Sequence, residues 1–264
     1  GKADIVAISG NSSLIHYFLN TGTNGNFGFA AAKTISLIPF RADYISMADM
    51  NNDGKADIIT SFSNGGNSGI RILQNTSDSI NVSFSISKNY RVGSALPLKT
   101  IAADIDVDGK PDLAFGFSGS ANIYLYKNSS TADSIKLDSL LILPTTANSG
   151  SFSFADIDGD GKPDLLVPNR DSNSVAVYPN LSTPNGFVFN NKITFSTSID
   201  PASVYGSDIN GDGMPEIITA NNQSGNIAVL RNKIRVPKIT MFTPVIAKRL
   251  DTVVVKGSNF TRTN

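Results

Sequence analysis

The sequence predicts an all-β chain of four-stranded sheets, one per repeat, set side by side as the blades of a β-propeller. Three observations carry this. A nine-residue acidic loop recurs at a near-constant interval: Asp49 to Asp104 is 55 positions, Asp104 to Asp156 is 52, and Asp156 to Asp208 is 52. The loops are flanked by short apolar or β-branched runs that read as strands and show no helical periodicity. A complete period holds four such runs, and a repeat of about 50 residues built from short strands is the signature of propeller blades.

The loop is clearest at Asp156-Ile157-Asp158-Gly159-Asp160-Gly161-Lys162-Pro163-Asp164. Carboxylates at positions one, three, five and nine, with the carbonyl of position seven, approach the six to eight oxygens that calcium takes. Here Asp156, Asp158, Asp160 and Asp164 supply side chains and Lys162 its carbonyl, while Gly161 permits a left-handed turn. Without a cation these charges would repel one another. The other complete copies are Asp49, Asn51, Asp53, Lys55 (carbonyl) and Asp57; Asp104, Asp106, Asp108, Lys110 (carbonyl) and Asp112; and Asp208, Asn210, Asp212, Met214 (carbonyl) and Glu216. About four calcium sites are expected, one per complete loop. The opening Gly1-Lys2-Ala3-Asp4 repeats Gly54-Lys55-Ala56-Asp57, so Asp4 ends a fifth, partial loop. The chain is therefore expected to be a fragment cut at both ends.

Taken in order, the first unit supplies strands at Ile5 to Ile8, Leu14 to Leu19 and Phe27 to Leu37. The second supplies Tyr44 to Ala48, Ile58 to Phe62, Ile70 to Leu73 and Val82 to Ile86. In the third they fall at Thr100 to Ala103, Leu113 to Phe117, Ile123 to Tyr126 and Ile135 to Leu143. The fourth has Ser151 to Ala155, Leu165 to Val167, Val175 to Tyr178 and Phe187 to Phe195. The fifth has Ser203 to Ser207, Ile217 to Ala220 and Ile227 to Leu230, with no clear fourth strand. The residue before each loop is small (Ala48, Ala103, Ala155, Ser207), as crowding of innermost strands requires. A 12-residue EF-hand loop is excluded, because it needs a glutamate at position twelve and flanking helices.

Composition narrows the function. The 264 residues carry no net formal charge, which removes the electrostatic case for nucleic acid or an anionic membrane, and no apolar run is long enough to span a bilayer. Of the 22 acidic residues, 15 lie in the loops, so acid is concentrated where metal would sit. Cysteine is absent, which leaves neither disulfides nor thiolate metal sites. Calcium sites of this kind point to an extracellular compartment, secreted or on the cell surface.

The motif, its spacing and the strand pattern resemble the FG-GAP/VCBS repeats of integrin-α-like β-propellers, over residues 1–235. The resemblance implies a calcium-braced propeller of a secreted bacterial protein, commonly seven-bladed, with further blades upstream of those visible here. Glu216, longer than Asp, and Asn51 and Asn210, which lack a charge, depart from the pattern and imply weaker binding in the second and fifth units. Residues 236–264, with Pro237-Lys238-Ile239-Thr240-Met241-Phe242-Thr243-Pro244 and Gly257-Ser258-Asn259-Phe260, resemble the opening of an IPT/TIG domain, an immunoglobulin-like β-sandwich. So short a piece cannot close its own core.

No catalytic constellation stands out, and the chain is read as not an enzyme. The single histidine, His16, sits among apolar strand residues; Glu216 is the only glutamate; the aspartates belong mostly to the loops. The sequons at Asn75-Thr76-Ser77 and Asn128-Ser129-Ser130 follow from an Asn/Ser/Thr-rich composition. A partner, an extracellular glycan or protein, would meet the connections opposite the loops (63–68, 118–120, 169–173 and 221–224), where Arg170 and Asp171 are the most polar candidates. The expected role is a non-catalytic adhesion or recognition module of a larger protein. The alternatives are an accessory propeller of a polysaccharide-degrading enzyme and a passive rigid spacer.

Overall fold

The computed structural model describes residues 3–9, 12–64, 66–78, 81–93, 97–117, 120–145, 151–234, 238–243, 246, 248 and 252–258. These form successive antiparallel sheets in which each strand pairs with the next in sequence. The first sheet is β1 (Ile5–Ile8), β2 (Leu14–Phe18) and β3 (Lys33–Ser36). The second is β4 (Ile45–Ala48), β5 (Asp57–Asn64), β6 (Asn67–Asn75) and β7 (Phe84–Gly93). The third is β8 (Pro97–Ala103), β9 (Asp112–Phe117), β10 (Asn122–Asn128) and β11 (Leu137–Pro144). The fourth is β12 (Ser153–Ala155), β13 (Asp164–Asn169), β14 (Ser174–Tyr178) and β15 (Ile193–Ser196). The fifth has three strands, β16 (Pro201–Ser207), β17 (Glu216–Asn221) and β18 (Asn226–Leu230). Each acidic loop joins the first strand of its unit to the second.

The middle strands show why the sequence reads as it does. All six residues of β9 and of β13 are buried, and so are all five of β14. A strand covered on both faces carries a near-continuous apolar run rather than an alternating one. The cover comes from the neighbouring units. Ile59, Ile70 and Ile72 of the second sheet cluster with Leu113, Phe115 and Phe117 of the third. Ile123 and Leu125 of the third meet Leu165, Val167 and Ala176 of the fourth, and Leu166, Val175 and Val177 meet Val204 and Ile217 of the fifth. Ile15 and Leu37 of the first meet Ile58 and Leu73 of the second. Each fully buried Leu, Ile or Phe contributes about 1.5–3 kcal/mol. The outermost β15, by contrast, is exposed along its length.

The small residues before the loops lie where sheets approach closely. Ala48, Ala103 and Ala155 border the inter-unit clusters. At Gly206 an added Cβ would stand 2.3 Å from Ala155 Cβ, so the fourth and fifth units admit no side chain there.

Two outer strands are shorter than expected. The chain after β2 makes a tight turn in which the Thr23 and Asn26 backbones exchange hydrogen bonds, and the chain after β14 does the same between Thr183 and Gly186. Beyond each turn the returning chain makes only an isolated bridge, Asn20 with Phe29 and Asn180 with Phe189, before the regular strands Lys33–Ser36 and Ile193–Ser196 begin. β7 runs further than expected, to Gly93. After the fifth sheet, β19 (Lys238–Thr243) and β20 (Val254–Ser258) pair as a two-stranded ribbon. Pro237, Pro244, Asn259 and Phe260, which carry much of the IPT/TIG resemblance, lie outside the described residues, as do Gly1, Lys2 and Ser118.

Candidate metal centre

Each loop is folded by its own carboxylates. The position-one aspartate accepts from the backbone ahead of it: Asp49 Oδ1 from the Asp53 N–H (3.1 Å) and Oδ2 from Gly54 (2.8 Å), and Asp104 from Asp108 and Gly109 (3.0 and 2.9 Å). Asp156 accepts from Asp160 and Gly161 (3.1 and 2.9 Å), and Asp208 from Gly211 and Gly213 (2.7 and 2.8 Å). The position-five carboxylate accepts from the position-seven N–H: Asp53 from Lys55, Asp108 from Lys110, Asp160 from Lys162, and Asp212 from Met214. The turn needs left-handed backbone at position six, where Gly54, Gly109, Gly161 and Gly213 have φ of 86, 86, 88 and 91°.

Position four is left-handed as well, which the sequence reading missed. It is Gly159 and Gly211 in two loops, but Asn52 (φ 57°) and Val107 (φ 59°) in the others. A β-branched residue there is strained by about 1–2 kcal/mol. Val107 is half exposed, so little packing is lost with its side chain. Val107→Gly is therefore expected to raise stability by up to about 1 kcal/mol, read from the urea midpoint.

The position-nine acids are the buried fasteners of the loops. Asp57, Asp112, Asp164 and Glu216 are all at most 1 % exposed. Asp57 accepts from the Met50 and Asn75 N–H groups, Asp112 from Ile105 and Asn128, and Asp164 from Ile157 and Asn180, at 2.8–3.0 Å. Asp4 accepts from Asn20 N–H in the same way (2.8 Å). An ionised carboxylate has about four acceptor directions, so these bonds leave capacity for a cation. Glu216 differs: besides the Ile209 N–H it takes the side-chain amide of Asn210 (2.6 Å), drawing that position-three residue onto itself.

Burial pushes Asp57 above the usual carboxylate range and raises Asp112 and Asp164 to about 6. Asp158 is also raised by burial, while N–H donation from Gly213 and its neighbours lowers Asp208. In the calcium-free chain, folded Asp112 and Asp164 take up protons between about pH 6 and 4 that the unfolded chain does not, so stability rises as pH falls through that window. With calcium bound, protons compete with the ion and the slope reverses. Urea midpoints at about pH 7 and 5, in chelator and in calcium, check this.

Among the described residues, two groups of carboxylates come close enough to hold a metal ion: Asp104, Asp106 and Asp108, and Asp156, Asp158 and Asp164, each with oxygens within 4.8 Å of one another. The donor set is all oxygen, which suits a hard cation. Buried position-three oxygens test the fit: Asn51 Oδ1 and Asp106 Oδ1 have no hydrogen-bond partner. Asn51 is held by its amide, which donates to Asp53 Oδ2 and to the Ala132 carbonyl of the next unit (3.1 and 2.7 Å), leaving Oδ1 for another partner. A cation is one group that such an oxygen could take, a water molecule another.

A set of asparagines escaped the sequence reading. Asn20, Asn128, Asn180 and Asn232 each stand 16 residues after a position-nine acid, and Asn75 stands 18 after. Each side-chain amide donates to the carbonyl of position eight in its own loop: Ala3, Ala56, Pro111, Pro163 and Pro215. Three reach back one unit as well, to position two of the preceding loop: Asn128 to Met50, Asn180 to Ile105 and Asn232 to Ile157, all at 2.8 Å. Each of these three clasps thus ties two consecutive loops together. The sequon positions Asn75 and Asn128 are members of this set, and Asn128 is 1 % exposed. The signal was the fixed offset from the acid.

Away from the loops, Arg170 and Asp171 lie in a 3₁₀ turn, Arg170–Ser172, between β13 and β14. Arg170 donates through Nε and Nη2 to Asp200 (2.5 and 2.8 Å), joining the fourth unit to the fifth, while Asp171 is exposed. His16 sits in β2, paired with Ala7 and Thr34.

These are repeated β units joined by acidic loops, two of which bring carboxylates close enough to hold a cation. Residues 1–60 and 104–167 match the family model of the FG-GAP-like repeat, so the chain carries FG-GAP-like repeats over those stretches. The matched stretches contain Asp4 and the loops at 49–57, 104–112 and 156–164. No curated protein matches the chain. Among the described residues no helix is long and apolar enough to cross a membrane.

Proposed function

We propose that these repeats form a calcium-braced, integrin-α-like β-propeller, followed by the start of an IPT/TIG-type sandwich. The module works outside the cell as a non-catalytic adhesion or recognition part of a larger secreted or surface protein of bacterial type. The observation that supports this best is the repeated loop with preset carboxylates and unpartnered buried Asn51 and Asp106 oxygens. When bound, calcium would supply positive charge to each loop. Asp49, Asn51, Asp53 and Asp57 and their counterparts would hold it, and the asparagine clasps would pass the added rigidity to the next unit. The loop at 156–164, with four carboxylates, is expected to bind most tightly, because affinity follows ligand charge.

The partner surface remains the side opposite the loops. Arg170 is engaged by Asp200, so Asp171 and the neighbouring asparagine-rich turns are the more accessible contacts for a glycan or peptide backbone. The test has two stages. Calorimetric titration with calcium should give several sites abolished by Asp156→Asn and its counterparts; absence of binding would sink the calcium reading. Glycan and protein arrays probed with the calcium-loaded chain should then give a partner lost on joint replacement of Arg170 and Asp171. A chain that binds calcium and nothing else would be a rigid spacer.

A further inference from the structure

The loop at 104–112 holds a cation of its own. Lys127, at the end of β10, places its ammonium between the second and third carboxylates of the loop. It is hydrogen-bonded to Asp106 Oδ2 and lies 2.8 Å from Asp108 Oδ2. The Asp106 side chain is fully buried and that of Lys127 is 17 % exposed, so the pair is largely withdrawn from water, where screening is weak. The corresponding residues, each directly before a clasp asparagine, are Leu19, Gln74, Pro179 and Arg231. Three of these carry no charge, and Arg231 is exposed.

We infer that Lys127 is the resident counter-ion of this loop and competes directly with calcium for it. The inference rests on the calcium reading above. Calcium needs carboxylate oxygens at about 2.3–2.6 Å, and the two that Lys127 engages belong to position-three and position-five residues, which the loop would use as ligands. A bound ammonium repels a divalent ion at that distance, so calcium enters only as Lys127 leaves. Asp106 Oδ1, buried and unpartnered, records that one ammonium satisfies only part of this carboxylate. Charge shows only that the ammonium cancels the advantage of the fourth carboxylate, and the need to expel Lys127 then sets this loop behind the others. Asp104, Asp106, Asp108 and Asp112 with Lys127 sum to the charge of the loops that carry Asn51 or Asn210 at position three, whereas the loop at 156–164 keeps four uncompensated carboxylates. The third unit therefore stays closed at calcium levels too low to fill its neighbours, and its loop fills last.

The test is calcium titration of the whole chain, wild type and Lys127→Gln, followed by the amide resonances of Gly54, Gly109, Gly161 and Gly213. Each of these amides donates to the first aspartate of its own loop, so the four report separately. Glutamine stands at the same place in the second unit, at Gln74, and suits the strand. In wild type the Gly109 resonance should move last. In Lys127→Gln it should move at a calcium concentration about tenfold lower or less, the size usual for two coupled ligands, with the other three unchanged. In chelator the variant should unfold at a lower temperature than wild type, and calcium should remove the difference. If Lys127→Gln is too unstable without calcium, Asp106→Asn/Lys127→Gln reproduces the composition of the second loop, and Gly109 should then move together with Gly54 rather than last; a Gly109 resonance that still moves last overturns the inference. Unchanged Gly109 behaviour while other loops bind overturns this inference alone. Absence of calcium binding at every loop overturns the calcium reading and this inference with it.

Discussion

In calcium, Asp164→Ala is expected to lower stability by about 2–6 kcal/mol. The Asp164 carboxylate accepts from the Ile157 and Asn180 N–H groups at 2.9 and 2.8 Å, and it is 1 % exposed. Alanine leaves both donors buried without an acceptor, at about 1–3 kcal/mol each, and removes a candidate ligand. In chelator the loss shrinks, because the buried, ionised carboxylate is itself unfavourable, as its pKa of about 6 indicates. Asp164→Asn keeps one acceptor oxygen and sets an amide against the other N–H, so its loss falls between alanine and wild type. Urea unfolding in both conditions checks the series. A loss under about 1 kcal/mol for alanine in calcium would remove Asp164 from the role of fastener.

Asn180→Ala is expected to cost about 3–5 kcal/mol. The side chain is 1 % exposed and donates to Ile105 O (2.8 Å) and Pro163 O (2.9 Å), while Oδ1 accepts from the Ser182 N–H (2.9 Å). Three buried backbone groups lose their partners together, in a region that cannot readily admit water. Asn180→Asp has nearly the same shape but sets an oxygen against two carbonyls, and should be no milder. Asn20 is partly exposed and reaches only its own loop, so Asn20→Ala should cost about 1 kcal/mol. Equal losses at Asn20 and Asn180 would show that the reach to the preceding unit contributes nothing.

Much of this was legible because a repeat averages out local ambiguity. Loop spacing located the first strand of every complete unit, and runs such as Leu113-Ala114-Phe115 and Leu165-Leu166-Val167 marked strands covered on both faces. The missing fourth strand of the fifth unit was anticipated, and the described part of that sheet has three strands. Outer strands were less legible. Phe27 and Phe187 look like strand residues, but the chain that follows the tight turns at Thr23–Asn26 and Thr183–Gly186 makes only isolated bridges at Phe29 and Phe189 before regular pairing begins. Within the site, the carboxylate spacing pointed to four loops, and among the described residues two of them, at 104–108 and 156–164, bring three carboxylates close enough to hold a metal ion. It did not reveal that the position-nine acid fastens the loop, since an acid reads alike as ligand or as acceptor for backbone N–H. The asparagine clasps hid in a composition rich in asparagine, and two of them passed as sequons. Lys127 lies 19 residues from Asp108, and only strand pairing brings them together.

A calcium-braced chain requires that the loops be occupied and that their occupation hold the units together. The most direct measurement is thermal unfolding of the chain in millimolar calcium and again in excess chelator. At ten times its dissociation constant each site adds about 1.4 kcal/mol, so several sites should raise the midpoint by about 10 °C or more in a chain of this size. Mutation of Asp156, Asp158 and Asp160 should remove part of that rise. Superimposed curves in calcium and chelator would mean that the loops close on their own hydrogen bonds, with Lys127 serving one of them, and would contradict the calcium-braced reading.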